Sequence, residues 1–321
     1  MKKITLGRTN KDVSIISLGA WSHGKQNTSG GHNVGWSNQS DQDSINALKK
    51  SFSLGINHWD TADVYGEGHS EKIIGSMWKE ISRKNIFLAT KVGWDRGPHK
   101  QWYEPSYMKE KIEYSLNNLK TDCIDLLYLH HCNFGKNDET LNDALEIINK
   151  FKEQGQVRFI GLSDWSSLRI MKFVEVVNPD VVQPLYNVSD TEYDTSGLKN
   201  YVKDNNLGVC FFSPIKHGIL TGKYNSIIDF EKGDFRKTVK EFGDIKFIKK
   251  MQLNRKKIEE KFPHFGDNAI MHALLGSILF DNPTGCALLG QRNENQASEA
   301  GELCKTLSKD EASWILSLYK N

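Results

Sequence analysis

Ile86-Phe87-Leu88-Ala89-Thr90-Lys91-Val92 is a short apolar run carrying one lysine. A segment of helical period follows over Tyr107–Leu119, and Ile124-Asp125-Leu126-Leu127-Tyr128-Leu129-His130 repeats the apolar run. Strand, helix and strand in this order make a βα unit, because parallel neighbours need a crossover long enough to hold a helix. The alternation recurs in both directions. Runs at Ser17–Trp21, Asn57–Ala62, Val157–Ser163, Val181–Tyr186, Val209–Ser213 and Cys286–Gly290 bring the strands to eight, after an N-terminal hairpin of Ile4–Leu6 and Val13–Ile16. Helical patterns lie between them at Asp43–Leu54, Ser70–Ile81, Glu139–Gln154, Ser167–Val177, Leu198–Asn205, Asp244–Lys261 and Asp267–Phe280. Eight such units are expected to close into a (β/α)8 TIM barrel, with residues 1–321 as one domain. A doubly wound open sheet competes with this reading, but no G-x-G-x-x-G follows the first strand.

Composition narrows the function. Lysine and arginine number 42 against 40 aspartates and glutamates, so no strong field invites nucleic acid or an anionic membrane. No stretch of about 18 apolar residues is present, and the first residues lack a signal peptide's apolar run, so a cytoplasmic location is expected. Cys123, Cys132, Cys210, Cys286 and Cys304 are odd in number and form no C-x-x-C pair. Reduced thiols and no metal are expected.

Two long connections, Ser22–Ser40 and Lys216–Gly243, leave strand C-terminal ends, the face where barrel enzymes keep their active sites. The chemistry-bearing residues cluster at the same ends. A lysine inside an apolar strand needs a partner, since an unpaired buried ammonium costs several kcal/mol. Asp60 stands at the same height on the neighbouring strand. Tyr65 follows five residues later, and an ammonium beside it would lower its pKa from about 10 toward working pH, suiting a general acid. His130 ends the fourth strand. Taken singly, each of these residues is more often structural than catalytic. Their common order and placement carry the argument.

Gly55-Ile56-Asn57-His58-Trp59-Asp60-Thr61-Ala62-Asp63-Val64-Tyr65-Gly66, the lysine strand and the histidine strand together resemble the aldo-keto reductase signature. The resemblance implies reduction of an aldehyde, ketone or sugar-derived carbonyl, with Asp60, Tyr65, Lys91 and His130 as catalytic residues. Tyr65 would donate the proton and His130 would bond the carbonyl oxygen. It also implies a nicotinamide cofactor, NADPH in preference to NADH. Ser163 and Asp164 fall where the family carries Ser-Asn, and Gln183 matches the sixth-strand glutamine, all toward the carboxamide. Phe212, with Ser213 beside it, stands where a tyrosine usually stacks on the ring. Gly290, Arg292, Gln296 and Glu299 match the last segment, where Arg292 would clamp the adenosine phosphate. Asp164, Phe212, Ala300 and the His131-Cys132-Asn133 stretch depart from the family pattern.

Tryptophans and histidines in the loops, Trp21, Trp36, Trp94, Trp102, His23, His32 and His99, offer a substrate lining, Trp21 and Trp94 foremost. The alternative reading is a nicotinamide-binding sensor barrel of the potassium-channel β-subunit type, against which the presence of His130 speaks.

Overall fold

A computed structural model describes residues 1–29, 32–95, 97–303 and 305–320. A two-stranded antiparallel hairpin opens the chain, β1 (Lys3–Thr5) with β2 (Asp12–Ser14). The barrel strand β3 (Ile16–Gly19) follows, and a small antiparallel pair, β4 (Thr28–Ser29) and β5 (His32–Asn33), lies in the first long connection. The remaining strands are β6 (His58–Asp60), β7 (Phe87–Val92), β8 (Ile124–Leu129), β9 (Val157–Asp164), β10 (Val181–Pro184), β11 (Gly208–Phe211) and β12 (Gly285–Gly290). Every pairing around the ring is parallel. The ring closes where Leu289 of β12 stands beside Leu18 of β3.

Helices α1 (Asp41–Ser53), α2 (His69–Ser76), α3 (Pro105–Asn118), α4 (Leu141–Glu153), α5 (Ser167–Val177), α6 (Glu192–Thr195), α7 (Leu198–Asp204), α8 (Ile245–Lys261), α9 (Ala269–Leu279), α10 (Glu294–Glu302) and α11 (Lys309–Tyr319) complete the chain. Caps explain where several begin. The hydroxyls of Ser40 and Ser166 and the carboxylate of Asp244 accept the free amides of α1, α5 and α8, and Ser308 with Glu311 forms a capping box on α11. None of the described helices is long and apolar enough to cross a membrane.

All eight expected strands and the hairpin are present, but the ladders stop earlier than the apolar runs. Trp21, Ala62, His130, Tyr186 and Ser213 fall beyond the last paired residue. At the barrel mouth the regular ladder gives way to single inter-strand bonds, such as those from the His130 amide to the Val92 carbonyl and from the Thr61 amide to the Ala89 carbonyl, so hydrophobicity outlasts regular pairing. The residues past that point are free to turn inward over the opening.

Alternation divides each strand between two layers. Phe87 and Ala89 face the barrel interior with Leu6, Val13, Leu126, Tyr128, Val181, Cys210, Cys286 and Leu288. Leu88, Val92, Leu127 and Leu129 face the surrounding helices. Lys91 keeps the register of Ala89 and so points inward, while Thr90 on the opposite face donates to Glu71 of α2 at 2.7 Å.

His58, Cys210 and Cys286 converge inside the barrel, with Cys210 and Cys286 Sγ atoms 3.3 Å apart and Cys286 Sγ 3.6 Å from His58 Nδ1. Spacing along the chain gives no sign of this grouping, since parallel pairing of β11 with β12 is what joins the two thiols. Thiol and imidazole satisfy one another there, although the same three groups are of a type that takes a soft cation. Cys123, Cys132, Cys210 and Cys286 are free thiols, and Cys304 lies outside the described residues.

Gly161 permits the interior to fill. A Cβ at this position would sit 2.2 Å from the ring of Tyr128, which is fully buried and has no room to retreat. Gly161→Ala is expected to cost roughly 1–3 kcal/mol of unfolding free energy by overpacking. The midpoint of denaturant unfolding measures it, and an unchanged midpoint would refute the packing argument.

Candidate active site

Lys91 is 1% exposed and Asp60 3%, so the pair is a buried one. The Lys91 ammonium donates to Asp60 Oδ1, to the Thr61 carbonyl at 2.7 Å and to the Tyr65 hydroxyl at 3.4 Å. Asp60 Oδ2 accepts from Gln183 Nε2 at 2.9 Å, so the carboxylate is held from two sides of the barrel. Charges this deep persist only when each polar atom is answered, and here most are.

A close crossing of two loops places Tyr65. Gly66 has φ of +64°, and a Cβ there would stand 2.2 Å from the carbonyl oxygen of Gly24. Only glycine admits that approach. The phenol stacks on Trp21, centroids 5.7 Å apart, and meets the His130 ring edge-on at 6.0 Å. His130 is anchored by its amide, which donates to the Val92 carbonyl at 2.8 Å.

The electrostatics correct one expectation. The Tyr65 phenol is held well above its ordinary pKa, because burial and then the carboxylates of Asp60 and Asp63 disfavour the phenolate. The Lys91 ammonium, spent on Asp60 and Thr61, does not reverse this. Burial lowers the Lys91 pKa against the pull of Asp60. His130 is kept neutral by burial, with His131 and Lys91 adding to the effect.

A cavity of about 450 Å³ opens above these groups, within the usual range for small-molecule sites. Asp60, Tyr65 and His130 form its floor together with Trp21 and Trp94, while Lys91 stands behind the floor and supports it. Ser163, Gln183, Phe212, Ser213, Gly290, Arg292, Gln296 and Glu299 also line it. Asp164 does not. Its oxygens accept from the amides of Cys132 at 2.8 Å and Ser166 at 2.9 Å, which turns the carboxylate into the wall and away from the cavity.

Arg292 also departs from expectation. Its Nη2 donates to the carbonyls of Ser37 at 2.5 Å and Asn38 at 2.7 Å, and its Nε to Gln39 at 3.1 Å. Much of the planar fork is thus engaged with the first long connection. Of the loop aromatics, Trp36 lines the cavity as expected, whereas Trp102 is absent from the lining and packs against the core, its ring 5.2 Å from that of His131. His23 is turned to the Gln291 carbonyl at 3.0 Å, His32 is exposed, and His99 pairs with Glu104 at 3.7 Å.

Sequence reasoning missed Trp165, His217, Lys223, Arg236 and Arg255 in the lining, and Phe235 packed on Trp21 at 4.7 Å. His217, Lys223, Phe235 and Arg236 lie in the second long connection, whose path no periodicity reveals, while Trp165 follows β9 directly and Arg255 stands on α8. The two connections meet over the mouth. The Ser37 amide and hydroxyl both donate to Asp234, as does Arg236, and Phe235 donates to the Gly35 carbonyl at 2.8 Å. Although burial alone would raise it, these donors hold the Asp234 carboxyl at about 2.

Residues 15–320 match the aldo/keto reductase family, and the chain belongs to it. It is therefore an NAD(P)H-dependent oxidoreductase. The Schizosaccharomyces pombe protein named aldo-keto reductase yakc, whose name carries NADP(+), is 34% identical over 213 residues, spanning 64% of this chain and 62% of its own length. A glycerol dehydrogenase from Gluconobacter oxydans superposes with a TM-score of 0.79 at 25% identity, covering 98% of this chain and 94% of that one. A probable voltage-gated potassium channel β subunit from Arabidopsis thaliana is 29% identical over 70% of this chain and 67% of its own.

Asp63, two residues before Tyr65, is 1% exposed and neither carboxylate oxygen has a hydrogen-bond partner among the described residues. Burial raises its pKa to about 7. An acid raised in this way leaves the fold unpenalised below the unfolded value near 4, and stability falls as pH climbs from there to about 7. Asp63→Asn is therefore expected to leave the melting temperature nearly unchanged at pH 4 and to raise it at pH 8, by a stability gain on the order of a few kcal/mol. Equal shifts at both pH values would contradict it.

Proposed function

We propose that the protein reduces a small carbonyl compound to an alcohol with NADPH, using Asp60, Tyr65, Lys91 and His130. The convergence of a phenol, a neutral imidazole and a buried ammonium–carboxylate pair on one cavity floor carries this reading. The nicotinamide, when bound, supplies the hydride. Gln183, Ser163 and Phe212 would hold its ring end, and Gly290, Gln296 and Glu299 the far end. Arg292 and Lys223 line that outer region with no carboxylate partner among the described residues, which favours a phosphorylated adenosine, while Arg236 and Arg255 are paired with Asp234 and Glu259. The NADP(+) in the name of the S. pombe relative supports the same preference.

The chain's own part is to position and to move one proton. The carbonyl oxygen is received between the Tyr65 hydroxyl and the His130 ring, which supply two donors where negative charge develops. A phenol with a raised pKa keeps its proton until an alkoxide, a much stronger base, forms beside it. Lys91 then stands 3.4 Å from the phenolate and stabilises it. Asp60 keeps the ammonium charged in spite of its burial. Aromatic walls limit water around the reacting carbon.

Among the relatives, the potassium-channel β subunit represents the sensor alternative. The presence of His130 beside Tyr65 favours turnover. Tyr65→Phe is expected to lower kcat by about 10²-fold or more while leaving the dissociation constant for NADPH within about twofold. Absorbance of the reduced nicotinamide against a panel of aldehydes and ketones, with a tryptophan-fluorescence titration, measures both. Tight NADPH binding without turnover of any compound would favour the sensor. Arg292→Ala is expected to weaken NADPH about tenfold more than NADH. An unchanged preference would remove Arg292 from phosphate binding.

A further inference from the structure

The near balance of charge over the whole chain is an average that one helix breaks. Residues 245–258 of α8 hold six cations, Lys246, Lys249, Lys250, Arg255, Lys256 and Lys257, and no acid. Over its full length, Ile245–Lys261, α8 has seven lysines and arginines against two glutamates, a net charge of +5. The chain as a whole carries +2, which leaves −3 for all the other residues together. Helix stability does not account for this segregation. The first turn of a helix is the positive end of its dipole, yet Lys246 stands there, with Lys249 and Lys250 one turn on.

Neighbouring acids do not offset the charge. The Asp244 carboxylate is spent on the amides of Lys246 and Phe247, at 2.8 and 3.2 Å. Arg255 pairs with Glu259 at 2.7 Å and Lys256 with Glu260 at 3.8 Å, while Lys246, Lys249 and Lys257 have no ion-pair partner among the described residues. Geometry gathers the lysines on one side. At about 3.6 residues per turn, Lys246, Lys249, Leu253, Lys256 and Lys257 fall within an arc of about 100°. All five are exposed, Leu253 at 52%, and Ile245 at 37% extends the stripe at the helix start. Ile248, Met251, Asn254 and Ile258 are buried on the opposite face, where α8 packs on α9. The helix is thus held firmly from behind, with lysines around a leucine turned to solvent.

We propose that this face of α8 is a docking surface for an anionic lipid bilayer. Acidic headgroups supply the negative field that the unpaired lysines lack, and a cluster of four or more lysines on one helix face is enough for such attraction. Leu253 and Ile245 enter the headgroup layer between them. The composition favours lipid over nucleic acid. The charges on this face are lysines, compact and without a fixed partner geometry, where arginine's planar fork would suit bidentate phosphate contacts. The face also presents no aromatic ring to stack on a base. Arg255, on the flank of the same helix, lines the cavity, so a docked molecule holds that wall of the cavity next to the bilayer.

Co-sedimentation of the full chain with vesicles tests it. Phosphatidylcholine vesicles containing about 40% phosphatidylserine are expected to bind at least tenfold more tightly than phosphatidylcholine alone at about 0.1 M salt, and about 0.5 M salt is expected to release the protein. Lys249→Glu together with Lys257→Glu is expected to weaken binding at least tenfold with no fall in the thermal unfolding midpoint, since neither lysine is paired. Leu253→Ser is expected to weaken it about threefold through lost apolar contact. Equal binding to both kinds of vesicle, or undiminished binding by the doubly substituted chain, would overturn the proposal. Capture of duplex DNA or RNA at concentrations where the vesicles do not bind would overturn it too and assign the face to nucleic acid. If the double variant does not fold, the wild-type preference for phosphatidylserine and the loss in Lys246→Glu alone still decide.

Discussion

The site depends on one ion pair. Lys91 and Asp60 sit on adjacent strands of a closed wall, where water cannot shield them, and their separation is fixed by backbone pairing that places Ala89 beside Asp60. Each neighbouring contact follows from that constraint. Gln183 reaches across from β10 to the free oxygen of Asp60, the Thr61 carbonyl takes a second proton of the ammonium, and the Tyr65 hydroxyl is the remaining polar group at hand. Removing either charge would strand the other in a dry interior, which is far costlier than never having buried the pair.

A rigid wall below and an adaptable rim above divide the labour. The wall supplies angles and distances that no substrate alters. The rim is built from two long connections joined through Asp234, and its aromatic side chains shape the space over the floor. That division lets a barrel hold one floor while the loops above it vary.

Much of this was legible in the sequence because it is periodic or locally constrained. Strand alternation put Lys91 and Ala89 on one face, and the need of a buried ammonium for a partner pointed to Asp60. Other features escaped for physical reasons. The direction of the Tyr65 shift comes first from burial and then from Asp60 and Asp63, which is a three-dimensional fact. Asp164 turns into the wall because two backbone amides lie behind it. Arg292 meets Ser37 and Asn38, more than 250 positions away, through a loop with no period to read. The convergence of His58, Cys210 and Cys286 comes from barrel closure, and α11, the last helix, is marked only by its Ser308–Glu311 cap.

Closure of the ring has a bearing on synthesis. Asp60, Tyr65, Lys91 and His130 have all left the ribosome well before β12 exists, yet the wall that orients them is joined only when residues 285–290 pair with β3. A nascent chain therefore carries these four side chains through most of translation without the closed wall that brings them together. The pocket that dries the lysine's charge is complete only once the last strand of the ring has been made.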